Sequence, residues 1–305
     1  MSLRFEIDSS LAGERVDTAI SRLLGISRSA AADLCAQGDV RIASKTLSKS
    51  DRVNLADVLI VEPPEPAKPL RVVETPVDDL LIAYQDDHIV VVDKPAGVVA
   101  HPTVGFEGPT VAGALLALGI QLSTSGAQER QGIVQRLDVG TSGLMMLAKS
   151  ELAYSRLKQA FRDREVHKIY HAIIQGHPDP AEGTFDAPIG RHPKAEFKFA
   201  VTEGGKPSIT HYKGLELFPA LTLCEVNLET GRTHQIRVHF SAFRHPLLGD
   251  TMYGADPALA KKLGISRQWL HAKELGFSHP VTGESIHLVS DYPTDLAEVL
   301  ERLRS

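Results

Sequence analysis

Cysteine is nearly absent from this 305-residue chain. Cys35 and Cys224 lie far apart and form no Cys-x-x-Cys pair, which excludes a disulfide framework and a thiolate zinc site and suits a reducing compartment. Long apolar runs are missing as well. No stretch approaches the roughly 18 uncharged apolar residues of a membrane span, and Glu6, Asp8 and Glu14 interrupt the segment where a signal peptide needs an apolar run. The expectation is a cytoplasmic protein, with no membrane partner. Positive charge is not in excess either: 33 Lys and Arg against 38 Asp and Glu leave a formal charge of −5, which excludes a uniformly basic surface. Any nucleic-acid site must therefore be a local patch. The 13 histidines never adopt a tight ligand spacing such as His-Glu-x-x-His, so no metal is expected.

What is present is ordinary globular material, 43% hydrophobic and 23% charged, without internal repeats or low-complexity tracts, and long enough for a small domain joined to a larger one. The boundary is visible in Pro63, Pro64, Pro66 and Pro69, which forbid a continuing helix or central strand and favour an extended connector. Residues 1–62 read as a small module, 63–77 as a Pro-rich linker and 78–305 as the main domain. In the module, Val16, Ile20, Leu23 and Leu24 recur at helical spacing. Ser27 stands where an N-cap starts a second helix, Gly38 ends it, and strand-like runs follow at Val40–Ile42 and Val58–Val61.

The main domain opens with two apolar runs, Leu80–Tyr84 and Ile89–Val92, joined by Asp86 and Asp87 as a hairpin turn. Further strands are expected at 144–147, 169–174, 209–212, 221–228, 271–277 and 286–289. Helices are expected at 111–118, 152–164, 233–244 and 294–303, the third with Thr233 as its N-cap and Ile236, Phe240 and Phe243 as its apolar face. Hairpin signals without regular strand-helix alternation predict an α+β fold with a mixed, mostly antiparallel sheet.

One stretch carries a chemical signal. In Gly132-Ile133-Val134-Gln135-Arg136-Leu137-Asp138-Val139-Gly140-Thr141-Ser142-Gly143-Leu144, apolar runs flank a turn that holds a carboxylate beside an arginine, as a substrate-facing loop would and as an exposed ion-paired turn would equally. Thr141 and Ser142 have no evident activating base. A further signal is the basic run Arg191-His192-Pro193-Lys194 with Lys198, Lys206, His211 and Lys213, on what reads as a long hairpin loop.

The first stretch resembles the signature of the large-subunit ribosomal RNA pseudouridine synthases, usually written His-Arg-Leu-Asp, then Thr-Ser/Thr-Gly-Leu and an apolar strand ending in Ala-Lys. Three more segments resemble the same family in the same order: Asp87 to Gly97 with His101-Pro102, then Lys168-Ile169-Tyr170, then Glu229 to His239 with His245-Pro246-Leu247-Leu248-Gly249-Asp250. The nearest likeness is to the subgroup acting on the helix-69 region of large-subunit RNA. Residues 1–62 resemble the S4-like RNA-binding module, named after a ribosomal small-subunit protein, that precedes this catalytic domain in many members. Two departures stand out: Gln135 replaces the usual histidine, and Ile42-Ala43-Ser44 stands where Val-Asn-Gly is usual.

The resemblance implies an isomerase that breaks a uridine's glycosidic bond, turns the base and rejoins ribose to carbon 5, with no cofactor. It implies Asp138 as the catalytic carboxylate, acting as nucleophile or as elimination base. Tyr170 would stack on the uracil and assist removal of the carbon-5 proton, and Arg237 would orient Asp138. Arg136 would fill the space left by a flipped base or hold a phosphate. Arg191, Lys194 and Lys198, with Arg28 and Arg41 in the module, are the further candidate RNA contacts, because phosphates supply most sequence-independent affinity. The module is not basic overall, with nine Lys and Arg against ten Asp and Glu in residues 1–68. The expected partner is ribosomal RNA or a pre-ribosomal large subunit. The alternatives are transfer RNA as substrate, a noncatalytic RNA-binding or ribosome-assembly protein, and a metal-dependent hydrolase suggested only by the histidines.

Overall fold

A computed structural model describes residues 2–62 and 70–305, in two compact units divided at Pro69/Leu70. The smaller unit contains β1 (Leu3–Glu6), α1 (Val16–Leu24), α2 (Arg28–Gln37), β2 (Val40–Ile42), β3 (Lys45–Thr46) and β4 (Val58–Val61). The strands form an antiparallel sheet in the order β1-β4-β2-β3. Val16, Ile20, Leu34, Val40 and Leu59 make its buried core, which is why the apolar positions fall at helical spacing in α1. The Ser27 hydroxyl accepts from the Ala30 N–H, and Gly38 closes α2 in the left-handed region at φ 85°, both as the sequence predicts. Ala43, at φ 50°, occupies a left-handed turn position, uncommon for a residue with a side chain. The β1 and β3 strands were not foreseen.

The larger unit runs through β5 (Leu81–Gln85), β6 (Ile89–Lys94), α3 (Val111–Ala117), β7 (Ser142–Ala148), α4 (Glu151–Arg162), β8 (His167–Gln175), β9 (Glu182–Asp186), β10 (Ile189–His192) and β11 (Ala195–Val201). It continues with β12 (Ile209–Phe218), β13 (Leu221–Leu228), α5 (Gln235–Ala242), α6 (Pro257–Leu263), β14 (Leu270–Ser278), β15 (Ser285–Val289) and α7 (Thr294–Arg304). Nine strands make one sheet in the order β5-β6-β7-β14-β8-β13-β12-β9, with β15 also paired to β14, while β10 and β11 form a separate ribbon. The sheet is antiparallel except at β7 and β14, which run parallel through His271–Ser142 and Ala272–Gly143. This is the mixed, mostly antiparallel sheet that the hairpin signals predicted.

The strand β7 explains how the sheet is covered. Met145 and Leu147 point into a core shared with Leu115 and Phe240, and Leu144, Met146 and Ala148 point into another shared with Ala153 and Leu157. A strand buried on both faces has no polar alternation, hence its continuous apolar run. At the start of β7, Gly143 sits at φ 108°, and a Cβ there would lie 2.3 Å from the Ala272 carbonyl oxygen, so only glycine permits β14 to approach.

Several expectations shift. The linker expected at 63–77 falls partly on residues 63–69, outside the described residues. From Leu70 the chain lies on the larger unit, where the Thr75 N–H donates to the Gly113 carbonyl at 3.3 Å. The basic stretch at 191–201 is the β10–β11 ribbon rather than an open loop, and β9 and α6 were not foreseen. The helix expected to be capped by Thr233 begins one residue later, with His234 as N-cap at φ 56°. Phe243 is 48% exposed, which leaves Ile236 and Phe240 as the buried face.

Candidate active site

The turn after Leu137 is pinned from three directions before β7 begins. The Gly97 N–H donates to the Val139 carbonyl (2.8 Å), Arg267 Nη1 to the Gly140 carbonyl (2.9 Å), and Gln268 Nε2 to Thr141 Oγ1 (3.3 Å). Arg267 is in turn held by Asp295, in the first turn of α7. Chain segments remote in sequence thus fix where Asp138 projects.

Asp138 opens on a cavity of about 540 Å³ whose wall also includes Tyr170 from β8, Arg237 from α5, Arg136, and the apolar Val99, Ile133, Leu228 and Leu270. Arg237 Nη1 donates to Asp138 Oδ2 at 3.1 Å, while Nε and Nη2 grip both oxygens of Asp250 at 2.6 and 2.9 Å. Asp250 is 2% exposed, and Arg237 also lies over the Tyr253 ring, 4.8 Å from its centre. Burial opposes the guanidinium charge, but the bonds to Asp250 and the two neighbouring carboxylates outweigh it and raise its pKa. Arg237 is therefore a fixed cation aimed at one oxygen of Asp138. The other, Oδ1, has no protein hydrogen-bond partner among the described residues, so one face of the carboxylate is left for a ligand.

Tyr170 occupies a central strand, paired with Val226 on one side and Ala272 on the other, and is nearly buried. Burial, helped by the nearby Asp138 charge, raises its pKa, so the side chain is a neutral phenol at physiological pH. Lys94, fully buried, donates to the carbonyls of Pro95 (2.9 Å) and Val98 (2.8 Å), and so shapes the loop that brings Val99 and Ala100 to the wall. Burial pulls its pKa down to about 7, against the opposing pull of Asp138.

Charge is distributed unevenly. Arg130, Arg136, Lys158, Arg232 and Arg237 line the cavity against the single carboxylate of Asp138. A protein of net charge −5 thereby presents a locally cationic mouth suited to a polyanion. Arg136 Nη2 donates to Thr233 Oγ1 at 3.1 Å, joining the Asp138 loop to the segment before α5.

Of the residues expected from sequence, Asp138, Tyr170, Arg237 and Arg136 meet in this cavity. Arg191, Lys194 and Lys198 lie apart from it on the β10–β11 ribbon, where the Arg191 guanidinium stacks 5.0 Å from the centre of Phe199, and Lys198 lines a smaller hollow of about 300 Å³. In the smaller unit, Arg28 is exposed and Arg41 half-buried, and they pair with Asp17 (3.1 Å) and Glu62 (2.7 Å) respectively. Sequence reasoning missed Asp250, Lys94, His234 and the cationic rim of Arg130, Lys158 and Arg232. The first three sit inside the recognised segments, where a buried guanidinium's need for a second anion could have singled out Asp250.

Ser142 does have a base beside it, contrary to the sequence reading: His271 Nδ1 lies 3.0 Å from its hydroxyl, and Nε2 lies 3.0 Å from Ser290, which donates to Asp93. This Ser-His-Ser-Asp chain is closed off. Ser142 and His271 are buried and neither lines the cavity, so the arrangement offers no substrate access. Among the described residues, no group of three His, Cys, Asp or Glu could hold a metal, and no helix is long and apolar enough to cross a membrane.

Comparison with known proteins bears on the same cavity. A family model described as RNA pseudouridylate synthase matches residues 88–242, which include Asp138, Tyr170 and Arg237. The chain is 55% identical over 298 residues to an uncharacterized RNA pseudouridine synthase of Mycobacterium bovis, covering 98% of this chain and 97% of that one. It is 38% identical over 309 residues to ribosomal large subunit pseudouridine synthase D of Pseudomonas aeruginosa, covering 98% and 95%. Among solved structures, human RNA pseudouridylate synthase domain containing 4 superposes with a TM-score of 0.57 at 27% identity, over 73% of this chain and 93% of that one.

Proposed function

The chain belongs to the RNA pseudouridylate synthase family, and from that premise we propose that it isomerises specific uridines of large-subunit ribosomal RNA in the cytoplasm, with Asp138 as the catalytic carboxylate. The observation that carries the assignment is the asymmetric setting of Asp138: Oδ2 is held by Arg237 and Oδ1 faces an apolar-walled cavity with a cationic mouth. A flipped nucleotide would seat its base against the apolar wall, with its phosphates at Arg130, Arg136, Lys158 and Arg232. Oδ1 is then the group that acts on the ribose, either by adding to the anomeric carbon or by taking the neighbouring proton. Arg237, hydrogen-bonded to Oδ2, holds the carboxylate in one orientation for either step. As a neutral phenol, Tyr170 supports and orients the uracil better than it removes a proton. Rejoining the ribose to carbon 5 returns that carbon's proton to the base nitrogen, so the reaction needs no external group.

The Arg191, Lys194 and Lys198 ribbon would hold RNA flanking the target. The smaller unit, with Arg28 and Arg41, would add affinity as an S4-like module, their guanidiniums retaining exposed edges beside the paired carboxylates. The substrate class rests on the similarity to large-subunit enzymes. The test is pseudouridine formation by the purified protein on large-subunit ribosomal RNA and on transfer RNA transcripts, beside Asp138→Asn. Wild type should modify the ribosomal transcript, and Asp138→Asn should bind it within a few-fold yet form no product. Equal turnover by Asp138→Asn would overturn the catalytic assignment, and modification of transfer RNA alone would overturn the substrate.

A further inference from the structure

Tyr253 stands behind the site, in a short helical turn that follows Asp250. Its hydroxyl accepts a hydrogen bond from the Phe199 N–H of β11 at 3.1 Å and lies 2.8 Å from His234 Nδ1. With one lone pair occupied by the backbone donor, the phenolic hydrogen has His234 Nδ1 as its acceptor among the described residues. This pattern assigns the imidazole hydrogen to Nε2. Nε2 lies 3.9 Å from Asp138 Oδ2, the same oxygen that receives Arg237 Nη1. The imidazole is also clamped by rings, with the edges of Phe199 and Tyr253 at 5.8 and 5.6 Å between centres. The left-handed backbone of His234, unusual for a residue with a side chain, is sustained by these contacts at the cavity wall.

We propose that His234 is a positioning residue of the reaction: locked by Tyr253 with its hydrogen on Nε2, it aims a second donor at Asp138 Oδ2 and so keeps Oδ1 turned toward the ribose. This rests on the reading of Asp138 given above. The charged and titratable groups around His234 are Asp138, Arg136, Arg237, Asp250 and Tyr253. Burial lowers its pKa, with the Asp138 charge opposing, so the neutral form is the working one near neutral pH. Protonation places a hydrogen on Nδ1, cancels the bond donated by Tyr253 and loosens the lock.

The experiment compares single-turnover rates at saturating RNA across about pH 5 to 9, together with RNA dissociation constants, for wild type, Tyr253→Phe, His234→Gln and His234→Ala. Tyr253→Phe keeps the ring over Arg237 but removes the hydroxyl. Its rate should fall roughly tenfold at neutral pH, and its acid limb should move to higher pH because Nδ1 has lost a donor that favoured the neutral form. In His234→Gln the amide nitrogen takes the place of Nε2 and does not titrate, so most of the rate should remain and the acid limb should move to lower pH. His234→Ala should lose roughly ten- to a hundredfold, with RNA dissociation constants within about threefold throughout. Wild-type rates and an unmoved acid limb in Tyr253→Phe and His234→Ala, or losses found wholly in RNA binding, would refute the role. A wild-type protein that isomerises no transcript would instead refute the functional reading, which keeps the two failures separate.

Discussion

A single turn separates Asp138 from Ser142, yet their side chains join polar clusters of opposite character. The Asp138 cluster contains Arg237 and Asp250, with His234 alongside, and ends in a carboxylate oxygen that nothing among the described residues satisfies. The Ser142 cluster contains His271, Ser290 and Asp93, and every link has a partner within the protein. Composition alone would favour the Ser142 cluster as the catalytic one, because a serine beside a histidine is a familiar nucleophile pair. Access reverses that impression. A satisfied buried network fixes the position of the parallel β7 and β14 strands, whereas an incompletely satisfied one at a cavity wall is free to act on a ligand.

The sharpest way to break this contrast is to remove the reactive group from each cluster. Asp138→Asn should lower pseudouridine formation by at least roughly a thousandfold, while Ser142→Ala should stay within about twofold at saturating RNA. Comparable losses in both would merge the two clusters into one active site. Next in size is Arg237→Ala, which leaves Asp250 charged and buried without its partner. Thermal or urea unfolding should show a loss of about 3–5 kcal/mol, more than an exposed ion pair would cost. A loss below about 1 kcal/mol would mean that the Asp250 site is hydrated in solution.

A smaller, pH-dependent effect tests the closed cluster. Burial lowers the His271 pKa to about 3 from its ordinary 6.5, so between those values the unfolded chain takes up a proton that the folded chain refuses. Its contribution to stability is intact above about 6.5 and is lost as pH falls toward 3. His271→Gln should therefore flatten the fall in melting temperature between about pH 6.5 and 4, and an unchanged slope would show that water reaches the histidine. Smallest in its effect on turnover is the double substitution Lys194→Glu and Lys198→Glu, which touches neither cluster. It should weaken RNA binding and reduce the salt slope by about one logarithmic unit per lost phosphate contact, with saturated turnover nearly unchanged. Binding constants that match wild type at every salt concentration would assign both lysines to a solvated surface.

These clusters also mark where sequence reasoning reaches. The Asp138 turn is legible because its own residues spell it, although remote segments hold it in place: apolar runs, Gly140, Thr141 and Gly143 together mark a turn feeding a buried strand. Strands such as β6, β7 and β13 are legible for the same local reason. Asp250, His234 and Tyr253 depend on α5 and the turn after Pro246 facing the Asp138 loop, a relation no local spacing encodes. The ribbon of β10 and β11 was obscured by Pro193 and its basic residues, which read as a loop, and α6 by its seven-residue length. Thr233 matched the usual N-cap residue, but the chain turns at His234 because Tyr253 and Phe199 hold that imidazole against the site.

The parallel contact between β7 and β14 has a consequence for the order in which the protein becomes itself. The hydrogen bond from Ser142 to His271 spans 129 residues, and the arginine that pins Gly140 arrives only at Arg267. Pairings of such sequence separation form late, because the intervening loop must close before they contribute. During synthesis the Asp138 turn therefore waits, held only by the earlier Gly97 contact, until Arg267 has left the ribosome. The cavity is completed only when Arg267 and β14 swing in beside β7, so a nascent chain can gather its first hairpins early yet completes its site only after residues 267–272 have emerged.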